Sequence, residues 1–289
     1  MVKCLSKVKT GLIILSVQQI LNKTLLILLS FDIEEFDMPF EYGKDISFEE
    51  QMEISIRGTL NILDLLDKHQ VKATFFSTVV FAQNAEAIIE RIINSGHELA
   101  SHGYYHSNFE IEHLKSSKLA LEKLTNQEIK GYRMARMKPV DEMEIAKAGY
   151  MYNSSINPTF LPGRYNNLNK PRTYFKESGV WQLPSSVSPL LRFPLFWLSF
   201  HNLPLKLYTW LAEITYKKDK YLNIYFHPWE FTDLSDKHKF GFPNYVSKNS
   251  GDLMIQRMDA FIRNLKAKNY DFCTIIDFIH QIQPEKHNN

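Results

Sequence analysis

Cysteine is nearly absent from this chain: Cys4 and Cys273 are the only two among 289 residues. They lie too far apart to form a metal-spaced pair, and two such residues build neither a disulfide scaffold nor a cysteine-rich secreted protein. Charge of one sign is lacking as well. Lys and Arg number 34 against 32 Asp and Glu, a net charge of +2. Apart from the lysines at 217–220 and near the C-terminus the basic residues are scattered, which speaks against nucleic-acid binding. There is no internal repeat and no low-complexity tract. A membrane-length apolar run is also missing. Lys3, Lys7 and Lys9 precede Gly11–Val17 in the manner of a signal peptide, but Gln18-Gln19 and Asn22-Lys23 interrupt the run and no small-x-small cleavage site follows. Extending it to Leu29 would consume a strand that the core needs. Residues 1–24 therefore read as an N-terminal extension to a domain at 25–285, with no integral membrane span. The cytoplasm is the favoured compartment, a degenerate export or anchoring signal the alternative.

What the chain does have is apolar bulk. Hydrophobic residues make up 44% and aromatics 13%, enough for a full core. Many of the aromatics fall between Phe193 and Phe231. They suit core packing, and they also suit stacking against sugar rings. The most informative stretch is Leu25-Leu26-Ile27-Leu28-Leu29-Ser30-Phe31-Asp32-Ile33-Glu34-Glu35. Five aliphatic residues followed by Ser-Phe read as a strand buried on both faces, as in a parallel sheet. Three carboxylates then crowd its end, where burial is costly unless a cation or hydrogen bonds hold them. In α/β folds, ligands bind at that end.

Downstream, strand and helix patterns alternate. Residues 36–49 read as a loop and Glu50–Lys68 as a helix. Val71–Phe76 is a strand, Ala85–Asn94 a helix stopped by Ser95-Gly96, and His97–Ser101 a third strand. Helices at Ile111–Leu124 and Val140–Ala148 alternate with strands at Ile129–Arg133 and Tyr150–Ile156. Asn157–Glu177 reads as a long loop, Val180–Leu183 as a strand, 189–215 as Pro-broken and partly helical. Tyr221–Phe226 is strand-like, Asp252–Lys266 an amphipathic helix, and Phe272–Ile276 the closing strand. Seven or eight strand–helix units without a linker predict a single α/β domain, better suited to a barrel than to an open sheet.

Ser101-His102-Gly103-Tyr104-Tyr105-His106 is the second informative stretch. Histidines at i and i+4 share a face of a helical turn and can share one ion. A bare HxxxH is more often two surface histidines. This one follows a short strand, at the same kind of position as Asp32 and Glu34, which favours a metal. Two imidazoles and one carboxylate leave open positions for water, the arrangement of a catalytic ion. Asp32 and Glu34, two apart, point to one side of an extended strand end. One can bind the metal while the other takes a proton from its water. A turn would bring in Glu35 instead, so Glu34 and Glu35 both stay open on this reading.

Ser30–Glu35, Ser101–His106, Gly131-Tyr132-Arg133 and Phe226-His227-Pro228-Trp229-Glu230 occur in that order. Together they resemble the motifs of the polysaccharide deacetylase family, the NodB-homology carbohydrate esterases, from about Leu25 to at least Glu230. The resemblance implies a distorted (β/α)7-type barrel, NodB-like, that removes acetyl groups from amino sugars or O-acetyl esters of a carbohydrate with a divalent metal, most often zinc. It makes Asp32 the general base, Glu34, His102 and His106 the metal ligands, Arg133 the partner that orients the base, and His227 the general acid. Three positions depart from the family pattern. The first motif reads Asp-Ile-Glu-Glu where two adjacent aspartates are usual, and Ala135 stands at a proline position. Asn153 stands where an acid commonly tunes the histidine. Arg136 and Arg164 are candidate contacts for an anionic or hydroxyl-rich substrate. Trp229, Phe196, Trp197 and Phe200 read as packing, and His201, His280 and His287 as structural or solvated. The alternatives are a small-amide or cyclic-ureide C–N hydrolase on the same fold and a non-catalytic glycan-binding relative. The aromatic insert between Trp181 and Tyr221 divides them: an open groove suits polymers, a capped pocket small molecules.

Overall fold

A computed structural model describes residues 25–283. The N-terminal extension with Cys4, and residues 284–289 with His287, lie outside the described residues. The first strand, β1 (Leu25–Ile33), shows why the fold has a polar mouth. Its side chains alternate between faces. Ile27, Leu29, Phe31 and Ile33 pack outward into the main core. Leu26 and Leu28 point the other way, into a second cluster with Phe76, Ala100, Tyr152 and Leu183. The same inward row continues as Ser30 and Asp32, so the barrel interior is apolar at its lower end and ionisable at its upper end.

Parallel strands follow in chain order across the sheet: β2 (Thr74–Ser77), β3 (Glu98–Ser101), β4 (Gly131–Tyr132), β5 (Tyr152–Asn153) and β6 (Val180–Gln182). On the other edge of β1 lies β7 (Asn223–Phe226), again parallel. The gap between β6 and β7 is bridged without a full ladder: Ser186 N–H donates to Asn223 C=O at 2.8 Å, and Asn223 N–H to Ser186 Oγ at 2.9 Å. The result is the distorted α/β barrel that the motif order implied. β8 (Tyr270–Cys273) joins the lower half of β1. The expected closing strand at 272–276 thus lies earlier, because Thr274 caps a new helix by accepting from Asp277 N–H. That helix closes the lower end of the barrel with Ile275, Phe278 and Ile279. Cys273 is buried and free.

The outer helices α1 (Phe48–His69), α2 (Val79–Asn84), α3 (Glu86–Asn94), α4 (Glu112–Thr125), α5 (Glu142–Ala148), α6 (Trp197–Asn202), α7 (Leu205–Asp219), α8 (Asp252–Lys266) and α9 (Ile275–Ile282) complete the layers. The five helices given bounds by the sequence lie within two residues of α1, α3, α4, α5 and α8; α2 and α9 are additional, and α6 and α7 divide the partly helical 189–215 stretch, α7 running on to Asp219. The 157–177 loop contains a small hairpin, Phe160–Leu161 against Tyr165–Asn166, and 36–49 contains a short 3-10 helix at Met38–Tyr42. Among the described residues no helix is long and apolar enough to cross a membrane.

α1 supports the polar mouth from outside. Ser47 caps it by accepting from Glu50 N–H. Its Ser55 Oγ donates to Glu34 C=O at 2.6 Å and its Asn61 Nδ2 to Phe231 C=O at 2.9 Å. Between them, Gly58 lies so near Pro228 that a Cβ there would stand 1.9 Å from its carbonyl oxygen. One helix therefore braces both the acidic end of β1 and the turn after β7.

Candidate active site

The three acids at the mouth of β1 take different partners, although all are buried. Asp32 Oδ1 accepts from Arg133 Nη1 at 2.6 Å. Glu34 Oε2 lies 3.0 Å from His102 Nε2 and 3.1 Å from His106 Nε2. Glu35 turns away and accepts from Thr78 Oγ1 at 2.5 Å. Of the two glutamates left open by the strand pattern, Glu34 is the one beside the imidazoles.

The histidine pair does not sit on a helical turn. Residues 102–106 are irregular, with Gly103 at φ +94°. The cause is α2, whose first two N–H groups take the carbonyls of Gly103 and Tyr104 at 3.1 and 3.3 Å. A helix start lacks internal acceptors, and here this loop supplies them. The rings still meet, 5.9 Å apart and 21° from parallel. His102 Nδ1 faces Arg133 C=O, which can only accept, at 2.9 Å, so Nδ1 carries a proton and Nε2 is the atom turned to Glu34. His106 Nδ1 is held by Asp37 Oδ1 at 2.7 Å.

Asp37 escaped sequence reasoning. It also pairs with Arg136 at 3.1 Å and with Ser107; only its place two residues past the acid cluster hinted at it. Acceptors behind both imidazoles are the usual backing of metal-ligating histidines. Glu34 Oε2 is buried without a hydrogen-bond partner, and Glu34, His102 and His106 offer ligand atoms within 4.8 Å of one another. This donor set fits a divalent ion with open positions toward a cavity. The electrostatics agree. Burial would raise the Glu34 carboxyl, but His106 and His102 outweigh it and hold it down to about 2. Burial would lower His106, yet Glu34 and Asp37 push it up to about 9. The cluster carries an anionic surplus that draws a cation, and on these side chains alone that cation is a proton on His106.

A second group adjoins the first. Arg133 is fully buried. It donates through Nε to Ser154 C=O at 3.0 Å and through Nη2 to Ser154 Oγ at 2.9 Å, and its guanidinium lies 4.0 Å from the Phe76 ring centroid. So clamped, it fixes one Asp32 oxygen; the other, Oδ2, faces His227 Nε2 at 4.0 Å. His227 Nδ1 is bound by Glu230 Oε1 at 2.9 Å, and the ring stacks on Trp229 at 4.8 Å. Burial lowers the His227 pKa, but Glu230 and the nearby acids outweigh it, so the net shift is upward. Glu230 Oε2 in turn meets His201 Nε2 at 2.8 Å, and His201 Nδ1 meets Lys248 C=O at 2.6 Å. His201, expected to be structural or solvated, is buried and backs the acid that holds His227. Asn153 bonds Glu142 and Gln182 instead, so Glu230 fills the backing role the motif comparison attached to position 153.

Asp32, Glu34, His102, His106 and His227 line one cavity of about 210 Å³. Phe196, Trp197, Tyr225 and Trp229 wall it, and Arg136 and Arg164 stand at its rim. Both arginines share Glu41, Arg164 at 3.6 Å. The aromatic insert is therefore partly packing, as Phe200 is, and partly cavity wall.

A family model described as polysaccharide deacetylase matches residues 46–152. The peptidoglycan-N-acetylglucosamine deacetylase of Bacillus cereus is 38% identical over 74 residues, covering 26% of this chain and 23% of that protein. The chain thus matches less than a quarter of that relative's length. Among solved structures, a probable polysaccharide deacetylase from Pseudomonas aeruginosa PAO1 superposes with a TM-score of 0.63 at 14% identity, covering 90% of this chain and 91% of the other. The Puue allantoinase also gives 0.63 at 14% identity, with 90% of each chain covered. At such identity the two structures speak for the fold alone, the same barrel in both. The sequence matches and the ordered motifs go further: over residues 46–152 this chain is similar to the polysaccharide deacetylase family.

Proposed function

We propose that the chain is a metal-dependent hydrolase that removes an N- or O-linked acetyl group from a carbohydrate, whether polysaccharide, oligosaccharide or glycan precursor. The observation that carries this reading is the facing of Asp32 Oδ2 and His227 Nε2 at 4.0 Å beside the Glu34–His102–His106 cluster in one cavity. Glu34, His102 and His106 would hold the divalent ion, zinc being the first candidate. When bound, such an ion lowers the pKa of water from about 15.7 towards about 7 and polarises the acetyl carbonyl.

Asp32 takes the proton of the attacking water. Its Oδ1 is committed to Arg133, so Oδ2 is the free base and the buried guanidinium keeps it aimed. The water oxygen bonds to the acetyl carbon while the carbon–nitrogen or carbon–oxygen bond to the sugar breaks. His227 gives its Nε2 proton to the departing nitrogen or oxygen. Glu230, bound to Nδ1, fixes the ring and favours the charged form that this step needs. Acetate and the freed sugar leave.

The test is acetate release from N-acetylglucosamine oligomers and from an O-acetylated sugar, by protein stripped with chelator and reloaded with zinc. Metal-restored release is expected. Metal-loaded protein that binds these sugars but frees no acetate would instead leave a glycan-binding relative. A second reading is a small-amide or cyclic-ureide hydrolase, favoured by the small cavity. Its volume is below the roughly 300–1,000 Å³ of common ligand pockets, room for one small unit and not for a stretch of polymer. Ring opening of a cyclic ureide with no acetate release would select it.

A further inference from the structure

The loop after β6 carries the most exposed apolar side chains of the described residues: Leu190 is 94% and Leu191 87% exposed, whereas the next, Trp210, is 56%. Exposure of two adjacent leucines has a cost that a flexible loop would avoid by folding them inward. This loop is instead braced. Ser188 N–H donates to Phe193 C=O at 2.8 Å, Arg192 N–H to Ser188 C=O at 3.2 Å, and Phe193 N–H to Ser188 Oγ at 3.0 Å. Arg192, at φ +49°, is tied through its guanidinium to the carbonyls of Pro158 and Lys170 at 3.0 and 2.8 Å. Thr159 Oγ1 closes the contact on Arg192 C=O at 2.6 Å. The leucine apex and the 158–170 loop therefore form one rigid unit, to which Phe160 adds another half-exposed ring.

Charge separates this region from the rest. Residues 158–192 hold five Lys and Arg against one acid, Glu177, a surplus of +4 in a chain whose total is +2. Arg164, exposed, and Lys170, partly so, belong to the loop that the apex is tied to. The unit lies on the catalytic face, since Arg164 and Phe196 from its flanks line the cavity.

We infer that Leu190 and Leu191 form a membrane-docking apex that seats the cavity mouth against an anionic bilayer surface. Two leucines on a tip insert between head groups, and the cationic collar meets their charge. A second copy of the chain fits less well: it would bring the same positive collar against itself. So seated, the cavity opens at head-group level, where a sugar carried on a lipid is presented. That last step rests on the deacetylase reading; the docking itself does not.

The test is flotation of the full chain with vesicles of phosphatidylcholine, with and without phosphatidylglycerol, at about 0.1 M salt. Binding to the anionic vesicles is expected, and Leu190→Ser with Leu191→Ser should weaken it roughly tenfold or more. The double variant should melt as the parent does and hydrolyse a soluble acetylated sugar at the same rate, which separates loss of docking from loss of the chemistry. Equal vesicle binding by parent and double variant would overturn the inference, as would no binding by either. So would a parent dimer in solution that the double variant abolishes, which would assign the apex to a second copy.

Discussion

At the upper end of the barrel Glu34 is held down to about 2, whereas at the lower end Glu98 is pushed up to about 7. Burial opposes charge at both places. Glu34 faces two imidazoles. Glu98 accepts only from neutral donors: Thr74 Oγ1 at 2.7 Å, Tyr152 OH at 2.8 Å and Ile276 N–H at 3.1 Å. Three neutral hydrogen bonds do not offset the desolvation, and cationic neighbours do. The two ends are thus built for different tasks. Glu34 is kept charged beside the imidazoles, and Glu98 is a polar staple between β2, β3, β5 and the start of α9.

Four experiments put this contrast at risk. Asp32→Asn should cost the most, about 10²–10⁴ in acetate release under metal-saturated conditions, with sugar binding retained; a variant as fast as the parent would remove Asp32 from the role of base. Asp37→Asn should lower metal affinity about 10–100-fold, measured by competition with a chromogenic chelator, and excess metal should recover most of the rate. Glu230→Gln withdraws the group that raises the His227 pKa. The alkaline limb of the kcat profile, where a protonated His227 is lost, should then move to lower pH, and a limb that stays put would undo the link between the two. The smallest effect is expected at the lower end. Between pH 4.5 and about 7 folded Glu98 keeps a proton that the unfolded chain releases, so stability falls as pH rises through that window. Glu98→Gln should flatten this slope, by on the order of 1 kcal/mol in urea melts at the two pH limits.

Much of the fold and the site is legible in the amino-acid order. The apolar run of β1 announces a strand buried on both faces, and the order of four short motifs places Asp32, Glu34, His102, His106 and His227 around one cavity. Their roles are those proposed above. The residues that escape notice depend on contacts between distant segments or on backbone shape. Asp37 matters only because the chain bends after Glu35 and meets His106, 69 residues on. His201 meets Glu230 across 29 residues, and nothing in Phe200-His201-Asn202 signals it. The pattern of 102–106 suits a helix, but the loop's carbonyls are claimed by α2. At 272–276 the run Phe-Cys-Thr-Ile-Ile reads equally as strand or as helix start, and Thr274, by capping, decides.

Gly58 shows how far from the cavity its dimensions are set. With no side chain there, the α1 backbone and the Pro228 carbonyl touch directly, and the residue before Pro228 is His227. The helix works as a spacer of fixed thickness: add a single methyl and the turn must rise, taking the imidazole with it and widening its separation from Asp32. A search for inactivating substitutions should therefore find hits on the outer helix as well as around the cavity, in a residue that never meets substrate.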